Sequence, residues 1–296
     1  MNTILKAALL QHFQSELSCI LNKTVLITAS HQVFGGDINA TYLLTTNTEN
    51  FFVKLNTIAA AGMLLKERDG LQLLRIANTS LTIPQPIVYG TYGQQSFLLM
   101  EYLEKGIESK GLWQHLATGL AQLHQHTQPY FGLNDNNYIG TVPQNNTAAT
   151  TWVSFYAQQR IMPLMQQAYD QHKCTKDDIQ LAERLYNKLS ALMPEEPPAL
   201  LHGDLWSGNY MFTVKGEAAV YDPAVYYGHR EMDIAMTLLF GGFDARFYSA
   251  YNEAFPLEEG WRSRVDICQL YPLLVHLLLF GGHYYGNAKN ILKKYA

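Results

Sequence analysis

Cysteine and basic residues are both scarce in this chain of 296 residues. Its three cysteines lie at scattered positions and form no C-x-x-C pair, so neither a disulfide framework nor a zinc site of the usual spacing is expected. No run of lysines or arginines occurs, and the formal net charge at pH 7 is −4. The electrostatic footprint of a nucleic-acid-binding protein is therefore missing.

Long hydrophobic runs are also lacking. The N-terminus does not combine a positive start, an apolar core and a small-residue cleavage site. The longest apolar stretch near the other end, residues 273–280, is interrupted by His276 and is too short to span a bilayer. We therefore expect a soluble cytoplasmic protein without a membrane partner. Its 48% of hydrophobic residues suffice for one large or two modest domains.

Residues 201–223 contain the most informative pattern in the sequence. Four residues separate Asp204 from Asn209, and Asp222 follows thirteen residues after Asn209 at the end of an apolar run. In phosphoryl-transfer sites one carboxylate accepts the proton of the attacking hydroxyl, while an amide oxygen and a second carboxylate hold magnesium on the nucleotide phosphates. The D-x-x-x-x-N element is short enough to arise by chance, so its interpretation depends on the segments around it.

A lysine in an apolar strand supports the same chemistry. Residues 51–55 form a β-type run that contains Lys54. An exposed lysine on an edge strand is one interpretation. The other is a buried lysine paired with Glu67, which lies thirteen residues later on a helix predicted over residues 58–76. Such a lysine–glutamate pair positions the nucleotide phosphates in kinase folds, and we favour it.

A glycine-containing hairpin precedes that lysine. Residues 33–44 are two short apolar segments joined through Gly35 and Gly36. Without a Cβ in the way, backbone N–H groups at the tip can approach phosphates. An ordinary hairpin turn gives the same pattern, so the position before Lys54 is what favours the phosphate-covering role.

A predicted buried strand, residues 97–103, leads into a connector. In a two-lobed kinase this connector passes the adenine ring, and Glu101, Tyr102 and Leu103 would contribute through their main-chain groups. A core strand with a polar exit is the alternative. Only the order of the elements separates the two interpretations.

Two further polar residues are assigned supporting roles. Asp233 lies near the start of an apolar helix, where it either caps the helix or supports the backbone of the catalytic loop; we favour the second. His202 is predicted to pack and to form hydrogen bonds, because Asp204 already serves as the base. The polar stretch of residues 144–151 is predicted to be a mobile loop.

Taken together, these motifs resemble the fructosamine kinase (ketosamine kinase) family. The resemblance runs from about residue 33 to residue 295. Its most specific part is the motif His-Gly-Asp-Leu-Trp-Ser-Gly-Asn at residues 202–209. Further matching positions are residues 131–132, 139–140, 143–144, 146, 152, 155, 160, 221–224, 227–229, 231, 240–243, 270–271 and 276–281.

The resemblance implies an α+β, two-lobed, protein-kinase-like fold of the aminoglycoside phosphotransferase type. A small β-rich N-terminal lobe would comprise residues 1–103, and a larger, mostly helical C-terminal lobe residues 104–296. The implied activity is ATP-dependent phosphorylation of the sugar 3-hydroxyl of ketosamines, with Mg²⁺ as the metal. The phosphorylated adduct then decomposes and releases the amine.

The resemblance also assigns roles to individual residues. The catalytic base falls on Asp204, the metal ligands on Asn209 and Asp222, and the nucleotide-binding residues on Lys54, Glu67, Glu101, Tyr102 and Leu103. The hairpin pattern adds Gly35 and Gly36 to the predicted nucleotide-binding residues. Sugar contacts are expected from Trp206, His229 and Glu231. For Trp206 the alternative is a core tryptophan packed behind the catalytic loop.

Other interpretations stay open at this stage. A catalytically silent kinase-like binding protein is expected to lack the lysine, the base or a metal ligand, and this chain has all of them. A kinase for aminoglycosides or choline would bind polycations, whereas Trp206 favours a sugar. Some family members carry a cysteine in the glycine-rich loop that links two chains, but this loop has Asp37 and no cysteine. We expect a monomer.

Overall fold

The computed structural model describes residues 5–33, 38–109 and 111–296. Its N-terminal part is a five-stranded sheet with a helix on each face. Its C-terminal part is mostly helical and contains short two-stranded sheets. This is the two-lobed α+β arrangement expected from the sequence.

The helices are α1 (Ala7–Ile20), α2 (Ala61–Ile76), α3 (Leu112–His124), α4 (Trp152–Phe155), α5 (Met162–Asp170), α6 (Lys176–Leu192), α7 (Glu231–Leu239), α8 (Ala245–Ala254), α9 (Trp261–Phe280) and α10 (Tyr284–Tyr295). The strands are β1 (Ile27–Val33), β2 (Ala40–Thr46), β3 (Phe51–Thr57), β4 (Pro86–Tyr92), β5 (Gln95–Glu101), β6 (Asn137–Ile139), β7 (Val142–Gln144), β8 (Ala199–Leu201), β9 (Tyr210–Phe212), β10 (Ala218–Val220) and β11 (Tyr226–Gly228). A 3₁₀ turn, Ile58–Ala60, leads into α2, and a π-helical segment, Tyr156–Ile161, joins α4 to α5.

The large sheet has the order β1-β2-β3-β5-β4, and all neighbouring strands are antiparallel. Side chains alternate between the two faces of a strand. Phe51, Val53 and Leu55 therefore pack on the face covered by α1, and Lys54 points to the opposite face. Because β3 is the central strand, the alternative of an edge-strand lysine facing solvent is wrong.

Two pairs of short strands bring the catalytic segments together. In one pair β8 runs antiparallel to β11, with Leu201 opposite Tyr226. In the other, β9 runs antiparallel to β10, with Tyr210 opposite Val220. Residues 202–209 follow β8 and residues 221–225 follow β10, so these two irregular segments emerge side by side.

Helix α9 lies in the core of the helical part. It is long and apolar enough to cross a membrane by length and composition, but 56% of its most hydrophobic 18-residue window is buried inside the protein. It packs against α7 and α10. Its apolar character is accounted for by this packing. The apolar stretch of residues 273–280 noted in the sequence is therefore the C-terminal part of a 20-residue helix.

The connection between the two parts lies between the end of β5 at Glu101 and the start of α3 at Leu112. A boundary at residue 103 falls within this connection and stays a prediction. The prediction of a mobile loop over residues 144–151 is wrong for Gln144 and Asn146, which are buried and whose side chains form several hydrogen bonds. For residues 147–151, most of which are exposed, it stays a prediction.

Candidate active site

Lys54, Glu67 and Asp222 meet between the sheet and the helical part. The Lys54 ammonium lies 2.7 Å from Glu67 Oε1 and 2.5 Å from Asp222 Oδ1. Burial alone would lower the pKa of Lys54, but the two carboxylates more than offset burial and raise it. The lysine is therefore charged, and it links α2 to the segment after β10.

Asp204 and Asn209 form a second pair in the catalytic loop. The Asn209 amide nitrogen donates to the main-chain oxygen of Asp204 at 2.8 Å and to its carboxylate at 3.0 Å. Burial, together with the charge of Asp222, raises the pKa of Asp204 to about 7, and the hydrogen bond from Asn209 opposes this rise in part. A carboxylate of this kind can exchange a proton near neutral pH.

Asp222 combines a strained backbone with an accessible carboxylate. Its φ of 58° lies in the left-handed region, which is uncommon for a residue other than glycine, and it precedes Pro223. Its side chain is 37% exposed. Within the described part of the chain, Oδ1 contacts Lys54 and no group donates to Oδ2. One carboxylate oxygen is thus available to a ligand.

The donor set of Asp222 and Asn209 suits a magnesium ion. Because the Asn209 amide nitrogen is bound to Asp204, its oxygen faces away, and no described residue donates to it. The described residues contain no cluster of three or more histidine, cysteine or carboxylate side chains arranged for a metal. Mg²⁺ does not need such a cluster, since it usually takes one or two protein carboxylates and completes its octahedron with phosphates and water.

Asp233 lies behind the catalytic loop and binds its backbone. One carboxylate oxygen accepts the N–H of His202 at 2.7 Å, and the other accepts that of Gly203 at 2.9 Å. The His124 Nε2 atom lies 3.1 Å from the first of these oxygens. Burial tends to raise the pKa of Asp233, but these donors outweigh burial and lower it. Asp233 is the third residue of α7, not its cap.

His202 is a structural residue in this loop. Its Nδ1 accepts the N–H of Asp204 at 3.3 Å, and its Nε2 lies 3.0 Å from the carbonyl oxygen of Tyr221. These partners require the neutral tautomer with the proton on Nε2, and burial lowers the pKa of the ring. The histidine joins the two catalytic segments and carries no mobile proton.

Gly203 and His124 are two contributors that the sequence reasoning did not assign to the site. Gly203 has a φ of +84°, and a Cβ added there would lie 2.0 Å from the carbonyl oxygen of Ala224. In the sequence, the His-Gly-Asp motif is the local feature that could have identified Gly203 as part of the site. His124 is the last residue of α3. It is buried, and it contacts both Tyr251 and Asp233.

The connector after β5 leaves main-chain groups available. The carbonyl of Glu104 accepts the N–H of Val214, and the N–H of Gly106 donates to Phe212, which fixes the connector on the β9–β10 hairpin. Within the described chain, no hydrogen bond involves the main-chain groups of Tyr102 or Leu103.

Glu101 and the hairpin glycines Gly35 and Gly36 were also predicted to bind the nucleotide. Glu101 ends β5, and its main chain is paired with Gln85 and within the sheet. The main chain of Glu101 is therefore less available than that of the two residues after it. Gly35 and Gly36 lie outside the described residues, so their predicted role is not addressed.

The expectation that His229 and Glu231 contact the sugar is wrong. His229 is 0% exposed and Glu231 is 3% exposed. The Arg264 guanidinium binds the Glu231 carboxylate at 2.6 and 2.9 Å, so Glu231 is committed to an internal ion pair. His229 lies 3.8 Å from Glu196. Both side chains stabilise the start of α7 from inside the protein.

Trp206 lies at the surface beside Asp204 and belongs to a group of aromatic side chains. It is 36% exposed, and its ring meets Phe240 edge-on at 5.9 Å. Phe240 packs on His276 at 4.9 Å, and His276 in turn contacts Phe280 and Tyr284. Trp206 is therefore not a buried core tryptophan. The aromatic surface around it was not predicted, because its members come from distant segments.

Known proteins resemble this chain in sequence and in fold. The sequence model of the fructosamine kinase family matches residues 9–296. A probable ketoamine kinase of Enterococcus faecium is 40% identical over 268 residues, which are 89% of this chain and 94% of the relative. The crystal structure of a candidate fructosamine-3-kinase from Haemophilus somnus 129PT has a TM-score of 0.85 at 30% identity and covers 95% of this chain and 96% of that one.

A more distant structure shares the fold alone. A thermostable mutant of the aminoglycoside phosphotransferase APH(4)-Ia, in a ternary complex with ADP and hygromycin B, has a TM-score of 0.63 at 14% identity and covers 96% of this chain and 98% of that one. This likeness confirms the protein-kinase-like fold expected from the sequence. Because the family model covers nearly its whole length, the chain belongs to the fructosamine kinase family.

Proposed function

We propose that this protein transfers the γ-phosphoryl group of ATP to the 3-hydroxyl of the sugar in a ketosamine. The observation that carries the proposal is that the cluster of Lys54, Glu67 and Asp222 adjoins the Asp204–Asn209 pair. The N–H of Tyr221 donates to the carbonyl of Asn209, and the charge of Asp222 contributes to the raised pKa of Asp204. The cluster and the pair are the parts that a kinase needs for positioning phosphates, holding a metal and accepting a proton. Membership in the fructosamine kinase family supports a ketosamine as the acceptor.

Asp204 is the proposed general base. One of its carboxylate oxygens is held by Asn209, which leaves the other for the sugar hydroxyl. A base with a pKa near the working pH combines a useful ionised fraction with sufficient basicity. The pKa of Asp204, raised to about 7, meets this condition. As the 3-hydroxyl oxygen bonds to the phosphorus, its proton passes to Asp204 and ADP leaves.

Asp222 and Asn209 are the proposed magnesium ligands, through the oxygens that carry no internal hydrogen bond. When bound, the ion would neutralise charge on the nucleotide phosphates. Lys54, fixed on its buried side by Glu67, would present its ammonium to the same phosphates. The main-chain groups of Tyr102 and Leu103 would bind the adenine edge. Asp233 and His202 hold the loop that carries the base.

Trp206 is the proposed platform for the sugar. Its indole lies two residues after the base and is partly exposed. Aromatic faces suit the C–H-rich face of a sugar, and the indole N–H can bind a hydroxyl. The 3-phosphate of a ketosamine decomposes to release the free amine, so the proposed role is removal of sugar adducts. A cytoplasmic, monomeric protein without nucleic-acid or membrane partners stays a prediction.

An assay of ATP consumption across four acceptors tests this proposal. Initial rates would be measured with ribuloselysine, fructoselysine, choline and kanamycin, with Asp204→Asn as the matched inactive control. We expect turnover with one or both ketosamines and none above the control with choline or kanamycin. Preferred use of choline or kanamycin would assign the protein to another class of small-molecule kinase. Nucleotide binding without turnover of any acceptor would indicate a silent kinase-like protein.

A further inference from the structure

Arg160 is a buried cation without a carboxylate partner. It is 0% exposed and lies on the π-helical segment Tyr156–Ile161. Its guanidinium lies over the rings of Tyr226 at 4.2 Å and Phe155 at 4.5 Å, and it forms no ion pair with any residue that the structure describes. A buried charge is costly, so a use for it is expected. π-Helical turns are rare and often occur at functional sites.

Arg160 sets the direction of a chain of hydrogen bonds between buried amides. Its Nη2 donates to Asn146 Oδ1 at 2.7 Å. Because a guanidinium can only donate, the Asn146 amide is fixed in one orientation, and its nitrogen donates to Asn137 Oδ1 at 2.8 Å. The Asn137 nitrogen is then left to donate to the carbonyl of Val225 at 2.8 Å.

A second branch joins this chain. The Tyr271 hydroxyl donates to Gln144 Oε1 at 2.8 Å. The Gln144 nitrogen therefore donates to Asn137 Oδ1 at 2.8 Å and to the carbonyl of Ala224 at 3.1 Å. We call these five side chains the amide relay. Its members are Arg160, Asn146, Asn137, Gln144 and Tyr271, and all are buried.

The amide relay ends on the backbone that follows Asp222. Ala224 and Val225 lie two and three residues after Asp222, in a segment outside any strand. Their carbonyls have no strand partner, and a buried carbonyl requires a donor, which the relay supplies. The N–H of Ala224 donates to the carbonyl of His202, so this segment also contacts the catalytic loop.

We infer that the amide relay holds Asp222 in position to bind magnesium. Residues in strained backbone conformations persist only where their surroundings over-determine them, and Asp222 has a φ of 58°. The relay fixes the two carbonyls that follow, and Lys54 fixes the side chain. Its members are positioning residues, and the inference rests on the proposed metal role of Asp222.

Asn137→Leu is the main test variant, since it keeps the volume and removes the donor to Val225. Two measurements are made. Hydrogen exchange of residues 222–227 is followed in the nucleotide-free protein, and ATP binding is followed by calorimetry as a function of Mg²⁺ concentration. Tyr271→Phe is the second variant, because it removes only a hydroxyl. We expect faster exchange and a higher half-saturating Mg²⁺ concentration in both variants, with an increase of about tenfold for Asn137→Leu, the scale for losing a residue that orients a metal ligand.

Two controls separate positioning from packing. Asn134→Leu makes the same chemical change at an exposed residue whose amide oxygen accepts a hydrogen bond from the Tyr130 hydroxyl. Leu189→Ala destabilises the hydrophobic core that also contains Tyr271, but it removes no hydrogen bond of the relay. Both are expected to leave the Mg²⁺ dependence unchanged.

Asp222→Ala separates failure of the relay from failure of the proposed metal site. An unchanged Mg²⁺ dependence in this variant would refute the metal role of Asp222. If Asp222→Ala abolishes the dependence while Asn137→Leu and Tyr271→Phe resemble Leu189→Ala, the relay inference is overturned. Should Asn137→Leu fail to fold, Tyr271→Phe decides alone: faster exchange with a higher half-saturating Mg²⁺ concentration supports the relay, and wild-type values overturn it.

Discussion

At the scale of single residues, the surroundings of Asp204 and Asp222 separate the roles that we propose for them. Asp204 is partly buried and receives one amide donor, and burial with the nearby charge of Asp222 raises its pKa to about 7. Asp222 faces the Lys54 ammonium and keeps one oxygen open. The first arrangement suits a base, and the second suits a metal ligand. The sequence predicted the two residues and their spacing, but not these environments.

Asp204→Asn tests the proposed base. The change keeps the shape of the side chain and removes its basicity. We expect turnover to fall by about two or more powers of ten, the scale of lost general-base assistance, with nucleotide affinity nearly unchanged. Single-turnover rates and ATP titrations measure the two quantities. A variant with more than about a tenth of the wild-type rate would show that Asp204 is not the base.

The raised pKa of Asp204 predicts a pH dependence. The base acts when deprotonated, so kcat/KM for the ketosamine should fall as the pH decreases through about 7. A positive charge bound at Asp222 would offset the repulsion that raises this pKa. The midpoint of kcat/KM measured at saturating MgATP should therefore lie below that measured at subsaturating MgATP. A profile of kcat/KM that is flat between pH 6 and pH 8, measured at constant ionic strength, would contradict the assignment.

Trp206→Leu tests the sugar platform. Because Trp206 is 36% exposed, we expect the melting temperature to shift by only a few degrees. The KM for the ketosamine should increase while that for ATP stays nearly constant, as expected for lost uniform binding. Phe280→Leu is a matched control, since Phe280 is exposed in the same aromatic surface and has no ring contact with Trp206. Equal effects of Trp206→Leu on both KM values would refute the platform.

At the scale of elements, local sequence patterns predicted strands and helices, but they did not predict which polar residues are buried by contacts with distant segments. The strand with Lys54 and the helix with Glu67 were predictable because alternation and helical spacing are local signals. The segment Gln144-Asn145-Asn146 was predicted to be part of a loop because its hydrogen-bond partners, such as Ala224 and Arg160, lie elsewhere in the chain. His229 and Glu231 were misassigned for the same reason, since Arg264 is a distant residue.

Gly203→Ala tests the contact between the two catalytic segments. A Cβ at Gly203 would lie 2.0 Å from the Ala224 carbonyl oxygen, so the loop that carries Asp204 must shift. Gly216→Ala is the matched control, because Gly216 also has a positive φ, of +76°, but a Cβ there meets nothing within 4 Å. Left-handed strain alone costs about 1–2 kcal/mol. We expect denaturant unfolding to show this cost for Gly216→Ala and a larger one for Gly203→Ala.

Activity distinguishes the same two variants. Gly203→Ala should lose most of its turnover, and Gly216→Ala should keep it, because the hairpin turn at Gly216 is exposed. Equal stability and equal rates in the two variants would show that the close approach of residues 203 and 224 is unimportant.

At the scale of the whole molecule, the two-lobed arrangement could be predicted from the order of the motifs along the chain. The resemblance to fructosamine kinases implied the two-lobed fold, and motifs and spacing predicted the five residues of the candidate site. Along the chain, the predicted strands come first, then the connector and then the predicted helices, and this order predicted a sheet joined to a helical part. The aromatic surface around Trp206 and the amide relay could not be predicted, because each joins side chains from several elements that only the folded chain brings together.

The position of the transferred phosphate tests the central claim most directly. Wild-type protein and Asp204→Asn would be incubated with MgATP and ribuloselysine, and the product analysed by two-dimensional ¹H–³¹P NMR. We expect a phosphate on the oxygen of the sugar's third carbon with wild-type protein, ADP in equal amount, and essentially no product with Asp204→Asn. Phosphate on another hydroxyl, or equal product from both proteins, would contradict the proposal that the candidate site is a ketosamine 3-kinase site with Asp204 as its base.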